Sequence, residues 1–96
     1  MQSQAQISEV VPVVVSIGEA EAKAFIYYKE SSNNLAAQNS GGCKGLGQDC
    51  NGQLIIDCPN WQTDYDCQDA FFTRYAVARY GSWAGAYNFW QSHNWY

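Results

Sequence analysis

The apolar positions fall into three helical stretches, separated by a polar, glycine-rich middle. Residues 1–15 are polar and then β-branched, with Pro12 interrupting the run Val10–Val15, and read as a linker with a short extended segment. From Ile17 the period changes. Ile17, Ala20, Ala24 and Tyr27 or Tyr28 recur at three- and four-residue intervals, the spacing of one helix face, so a first helix is expected over about residues 18–30. Ser16 stands where a cap belongs, and Glu19 follows three residues later, as in a capping box.

The stretch "SSNNLAAQNSGG" should end that helix. Ser and Asn side chains compete for backbone hydrogen bonds, and glycines end regular structure. Residues 41–60 hold five of the eight glycines and three of the four cysteines. A stapled loop region is expected there, with a short irregular β-hairpin around Leu46 and Leu54–Ile56. Helical period returns in "TDYDCQDAFFTRYAVARYG". Thr63 or Asp64 caps it, acids fill its first turn, and Gly81 suits the position just past its end. Its buried face is expected to carry Cys67, Phe71, Tyr75 and Ala78. A further short helix, "SWAGAYNFWQSH", starts at Ser82, and "NWY" closes the chain. The pattern predicts a mainly α fold: a linker over 1–15 and one small domain over 16–96.

Composition narrows the function. A chain of 96 residues is short of core and often needs covalent staples. Six, seven and eight residues separate Cys43, Cys50, Cys58 and Cys67. The CxxC spacings of zinc sites are absent and His93 is the one histidine, so no metal and no cofactor is expected. An even number of cysteines favours two disulfides and an oxidising, extracellular setting. Three pairings are open, and the short-range one, Cys43–Cys50 with Cys58–Cys67, is favoured. The net charge is −4 and the five bases form no block, which disfavours nucleic acid and anionic membranes as partners. The longest apolar run is too short to span a bilayer. "MQSQAQISE" lacks the basic start of a signal peptide, so the chain is expected to be one domain of a longer, exported or virion-borne protein.

Two features carry candidate chemistry. Glu30 falls at the C-terminal end of the first helix, where the helix dipole disfavours negative charge and partial burial would add to the effect. A carboxyl kept protonated in this way can act as a general acid. The bland alternative is a solvated glutamate neutralised by Lys23 or Lys29. The second feature is "KGLGQD". Gly45 and Gly47 let a ligand approach the backbone closely, and the Gln48 amide offers both a donor and an acceptor. A plain turn in a disulfide loop is the competing reading.

Taken together, "ES" at a helix end and "GLGQ" fifteen residues on resemble the paired signature of the lysozyme-like lytic transglycosylase superfamily. "EAKAFIYYKESSNN" and "RYGSWAGAYNFWQSHNWY" are similar to the catalytic helix and closing segment of the C-terminal domain of aggregation-promoting factors and related phage muralytic proteins. The cysteine-bearing middle looks like members of the same group, and the likeness covers about residues 18–96. It implies a small lysozyme-like domain, acting as a monomer on peptidoglycan glycan strands at the MurNAc-β-1,4-GlcNAc bond. Glu30 matches the catalytic acid and Ser31 the residue that orients it. Gly45, Leu46, Gly47 and Gln48 match the motif lining the cleft. Tyr87, in "AYN", resembles a third motif whose tyrosine approaches the acid, with a core role as its alternative.

A hydrolase needs two carboxylates, whereas a lytic transglycosylase works with one. Asp49 is the one candidate partner, so the single-acid reaction is favoured and a hydrolysing lysozyme is the alternative. Trp61, in the Pro-Asn loop, and Trp95 are expected to be exposed and able to stack on sugars. Trp83, Tyr87 and Trp90 share one helical face and are expected to be buried. A non-catalytic peptidoglycan-binding module is therefore the reading from a different class.

Overall fold

The computed structural model describes residues 17–96; the linker and the cap expected at Ser16 lie outside the described residues. Helix α1 spans Glu19–Ser31, α2 Gln53–Asp57, α3 Tyr65–Tyr80 and α4 Trp83–His93, with a 3₁₀ turn over Trp61–Thr63. The domain is mainly α, as the pattern predicted. Helix α4 packs on both α1 and α3, while α2 and the 3₁₀ turn lean on α3.

The buried face of α1 differs from the expected stripe. Ala22, Ile26 and Tyr27 are buried, whereas Ala20, Ala24 and Tyr28 are exposed. Burying a methyl releases little free energy compared with a whole Ile or Tyr side chain, so the large residues set the rotation of the helix. Glu19 is not the third residue of a capping box. Its carboxylate crosses to the start of α4 and accepts from Trp83 N at 2.8 Å and Ala84 N at 2.9 Å. Glu21 instead accepts from Gly18 N at 3.2 Å. An acid on a helix N-terminus satisfies orphan amides and opposes the dipole favourably, and here it also ties α1 to α4.

The expected caps of the later helices are present. Asp64 accepts from Cys67 N at 3.1 Å, Ser82 accepts from Gly85 N at 2.9 Å, and Gly81 adopts φ 84° just past α3. The buried face of α3 is shifted by one residue from Cys67–Phe71–Tyr75–Ala78 to Gln68–Phe72–Ala76. The cause is Gln68, which is fully buried yet fully used. Its Oε1 accepts from Leu46 N at 2.8 Å, and its Nε2 donates to the carbonyls of Leu35 and Trp61. One amide thus fastens three loop segments to α3.

Two disulfides close the loop region, Cys43–Cys50 and Cys58–Cys67, the favoured pairing. Loops this short correspond to about 2–3 kcal/mol each by chain entropy. The expected hairpin is reduced to isolated bridges, Gln38 with Lys44 and Lys44 with Asp49, and Leu54–Ile56 belongs to α2. Asp49 directs that change: its Oδ2 accepts from Leu54 N at 2.9 Å and holds the first turn of α2. Trp61, expected to be exposed, is buried at 7 %. The 3₁₀ turn folds its ring inward while its carbonyl meets Gln68.

Candidate active site

Glu30 is the penultimate residue of α1, four residues beyond Ile26 and eight beyond Ala22. That spacing places it on the buried face of the helix. Beyond it the chain turns away through Ser32 and Asn33, both in the left-handed region with φ 55° and 62°. The carboxyl is therefore drawn toward the interior at the point where the helix stops, and it is half-buried.

Its surroundings are aromatic, not cationic. Trp90 Nε1, from α4, donates to Glu30 Oε2 at 3.2 Å. The Lys29 ammonium lies over the rings of Phe25 and Trp90, 5.7 and 5.6 Å from their centroids. Lys23 pairs with Asp69 at 3.0 Å, and the Tyr27 hydroxyl donates to the same carboxylate at 2.8 Å. Lys23–Asp69 is the one ion pair among the described residues, so neither lysine neutralises Glu30. Desolvation raises the Glu30 carboxyl above its ordinary range, and the Trp90 hydrogen bond offsets part of that rise.

Glu30 borders a cavity of about 200 Å³. The turn Gly47–Asn51 forms one wall, Phe71, Phe72 and Tyr75 of α3 form another, and Trp95 and Tyr96 close it. The turn has a built geometry. Lys44 and Asp49 exchange backbone hydrogen bonds of 3.0 and 2.8 Å across Gly45–Gln48, and the Cys43–Cys50 disulfide closes the next rung. A Cβ on Gly47 would lie 2.2 Å from Tyr96 Oη and 2.5 Å from the Phe72 ring. Gly45, at φ 87°, would place a Cβ 2.7 Å from both Gln68 and Leu54. Both glycines are thus required by packing.

Of the residues singled out from the sequence, the fold brings Glu30, Gly47 and Gln48 to this cavity, together with Asp49. Gln48 spends its amide on its own turn, donating to Gly45 O at 2.9 Å and Ala37 O at 3.4 Å. The remaining five stand off the cavity. Ser31 donates to the Tyr27 carbonyl at 3.0 Å. Gly45 and Leu46 are buried beneath the turn, and Trp61 is in the core. Tyr87 packs edge-on against Phe25, with ring centroids 4.9 Å apart, which is the core role held as its alternative. Asp49 is committed to backbone: one oxygen accepts from Leu54 N at 2.9 Å and the other from Asn51 N at 3.2 Å.

Tyr96, Tyr75 and Phe71 line the cavity without having been singled out as site residues. Tyr96 is 7 % exposed, and its hydroxyl donates to Gly47 O at 3.1 Å. The hydroxyls of Tyr75 and Tyr80 both donate to the main-chain oxygen of Tyr96, so the closing segment is fastened at both ends of one residue. Burial, and secondarily the nearby Glu30 charge, hold the Tyr96 phenol well above its ordinary range. The period-four pair Phe71–Tyr75 was the available signal for α3, although it read as core. Trp95, expected to be exposed, is half exposed at the cavity rim.

Among the described residues, no three His, Cys, Asp or Glu side chains cluster as a metal site, and no helix is long and apolar enough to cross a membrane. No family model matches the chain, and no curated protein or solved structure matches it either. In chemical terms, the site offers one desolvated acid beside an open cavity, with a second carboxylate already held by amides.

Proposed function

We propose that this domain cleaves the glycan strands of peptidoglycan as a lytic transglycosylase, with Glu30 as its single catalytic acid. The observation that carries the reading is the state of Glu30: half-buried, without a cationic partner, and on the wall of a cavity it shares with Gly47 and Gln48. A desolvated carboxyl retains its proton at a higher pH and can deliver it to a glycosidic oxygen. As the bond to the leaving sugar breaks, the substrate's acetamido group stabilises the oxocarbenium-like centre. The carboxylate left on Glu30 then takes the proton of the muramic C6 hydroxyl, whose oxygen closes a 1,6-anhydro ring. Proton and bonds balance without water.

The commitment of both Asp49 oxygens to backbone amides supports one acid over two. Asp49 acting as base or nucleophile would have to release the start of α2. The cavity is smaller than the about 300 Å³ at which drug-sized ligand pockets begin, so it suits one ring-sized group, with the rest of a strand lying over open surface. Disulfides and the absence of a spanning helix among the described residues are compatible with work outside the cell.

Digestion of purified sacculi, with mass analysis of the products, tests the reading. Anhydro-muramic ends from the parent protein, and none from Glu30→Gln, are expected. Reducing ends would replace the reaction by hydrolysis, and equal release by both proteins would remove Glu30 from it. Half-exposed Trp95 at the cavity rim supports the second reading, a module that binds the wall without cutting it. Retention of the protein on sacculi with no soluble fragments would favour that reading.

A further inference from the structure

The cavity has a chemical polarity that the reaction alone does not use. Glu30 and Asp49 lie on its wall, while Trp95 and Tyr75 lead out to Arg79. Trp95 is half exposed, yet its ring is held. Phe89 meets it edge-to-face at 4.9 Å between centroids, and the Arg79 guanidinium lies 5.5 Å from its centroid. Arg79 also lies over Tyr75 and Tyr80, at 5.9 and 5.6 Å, and donates to the Tyr75 hydroxyl at 3.3 Å. It has no carboxylate partner within 4 Å among the described residues. A planar cation braced on three aromatic faces keeps its remaining donors in a fixed fork, the geometry that carboxylates match.

We propose that Trp95 and Arg79 form a binding subsite for a pyranose ring that carries a carboxylate substituent. The apolar C–H face of the ring packs on the Trp95 indole, and the carboxylate meets the Arg79 guanidinium. The proposal deepens the glycan-strand reading and rests on it for the identity of the polymer. It adds direction: the acidic substituent lies toward Arg79, and the next glycosidic bond extends toward Glu30. The opposite orientation would place a carboxylate against Glu30 and Asp49, where like charges repel.

The test compares two sugars that differ by one lactyl carboxyl group, N-acetylmuramic acid and N-acetylglucosamine. Both are titrated into the Glu30→Gln protein while the assigned Trp95 indole NMR signal is followed. Tighter binding of N-acetylmuramic acid is expected, by about tenfold, as a charge-assisted hydrogen bond supplies. That preference should weaken with added salt. Arg79→Gln should abolish the preference while N-acetylglucosamine binding stays unchanged. Trp95→Ala should weaken both sugars, and Trp95→Phe should restore part of the loss. Circular dichroism melts of each variant separate lost binding from lost fold. Equal affinity of the two sugars, or a preference that survives Arg79→Gln in a folded protein, would overturn the subsite. Because binding is read in a protein lacking the acid, this result is independent of whether Glu30 cleaves strands.

Discussion

The indole N–H of Trp90 donates to the carboxylate of Glu30 across sixty residues of sequence, at 3.2 Å. It is the one influence that favours the charged form of that acid, against a desolvation that favours the neutral form. Removing it should therefore raise the Glu30 pKa further. If Glu30 acts as a general acid, activity on sacculi declines as pH rises through its pKa. Trp90→Phe should then move that alkaline limb to higher pH. The pH profile of strand cleavage checks this, and a limb unmoved or moved to lower pH would show that Trp90 does not tune the acid.

The same shift couples Glu30 to stability. Burial raises its folded-state pKa above the ordinary value of 4.5, so the folded chain still holds a proton that the unfolded chain has lost. The contribution of this group is full below the unfolded value and declines as pH rises through the folded value. Glu30→Gln keeps an acceptor for Trp90 and removes the titration. Its melting temperature should exceed that of the parent at about pH 7, and the gap should close near pH 4. Melts at several pH values would show this, whereas a gap independent of pH would mean that Glu30 titrates as it does in the unfolded chain.

The parts of the fold that were legible in the sequence are those set by local signals. Asp64, Gly81 and Ser82 mark the ends of α3 and the start of α4 because capping is decided within a few residues. The disulfide pairing followed the shortest loops. Features that depend on distant partners were not legible. Gln68 reads as a surface residue until Leu35, Leu46 and Trp61 supply its partners. "QLIID" reads as a strand because Ile is β-branched, yet the Asp49 side chain starts a helical turn there. Glu30 was legible as a residue at a helix end. Its aromatic shelter was not, because Trp90 and Tyr96 reach it from the far end of the chain.

Gln68 should be the most costly single polar residue to replace. Gln68→Leu removes one acceptor and two donor bonds, and strands the Leu46 amide together with the Leu35 and Trp61 carbonyls in the interior. Buried groups left without partners cost about 1–3 kcal/mol each, so a loss of about 3 kcal/mol or more is expected. Denaturant unfolding measures it. A loss below about 1 kcal/mol would mean that the three loops hold their positions without this clamp.

The two disulfides should differ in how readily they are reduced. Cys50 is exposed at the rim of the cavity, whereas Cys58 is fully buried. Thiol–disulfide exchange needs access to a sulfur, so a mild dithiol should open Cys43–Cys50 first. Alkylation and mass mapping should find no free thiol before reduction, and then Cys43 and Cys50 labelled ahead of Cys58 and Cys67. Simultaneous labelling of all four would indicate global unfolding as the route to reduction.

Gly47 separates packing from backbone freedom at the site. Its Cβ would meet Tyr96 Oη at 2.2 Å and the Phe72 ring at 2.5 Å, with ring and backbone held on both sides. Gly42, at φ 86°, has nothing within 4 Å of its would-be Cβ. Gly47→Ala should thus cost about 1–3 kcal/mol through overpacking and displace Tyr96 from the cavity wall. Gly42→Ala should cost only the roughly 1 kcal/mol of an unfavourable left-handed backbone. Thermal melts, with the Tyr96 ring signals followed by NMR, distinguish the two. If Gly47→Ala is as mild as Gly42→Ala and leaves those signals in place, the turn and Tyr96 are not packed as tightly as their contacts require.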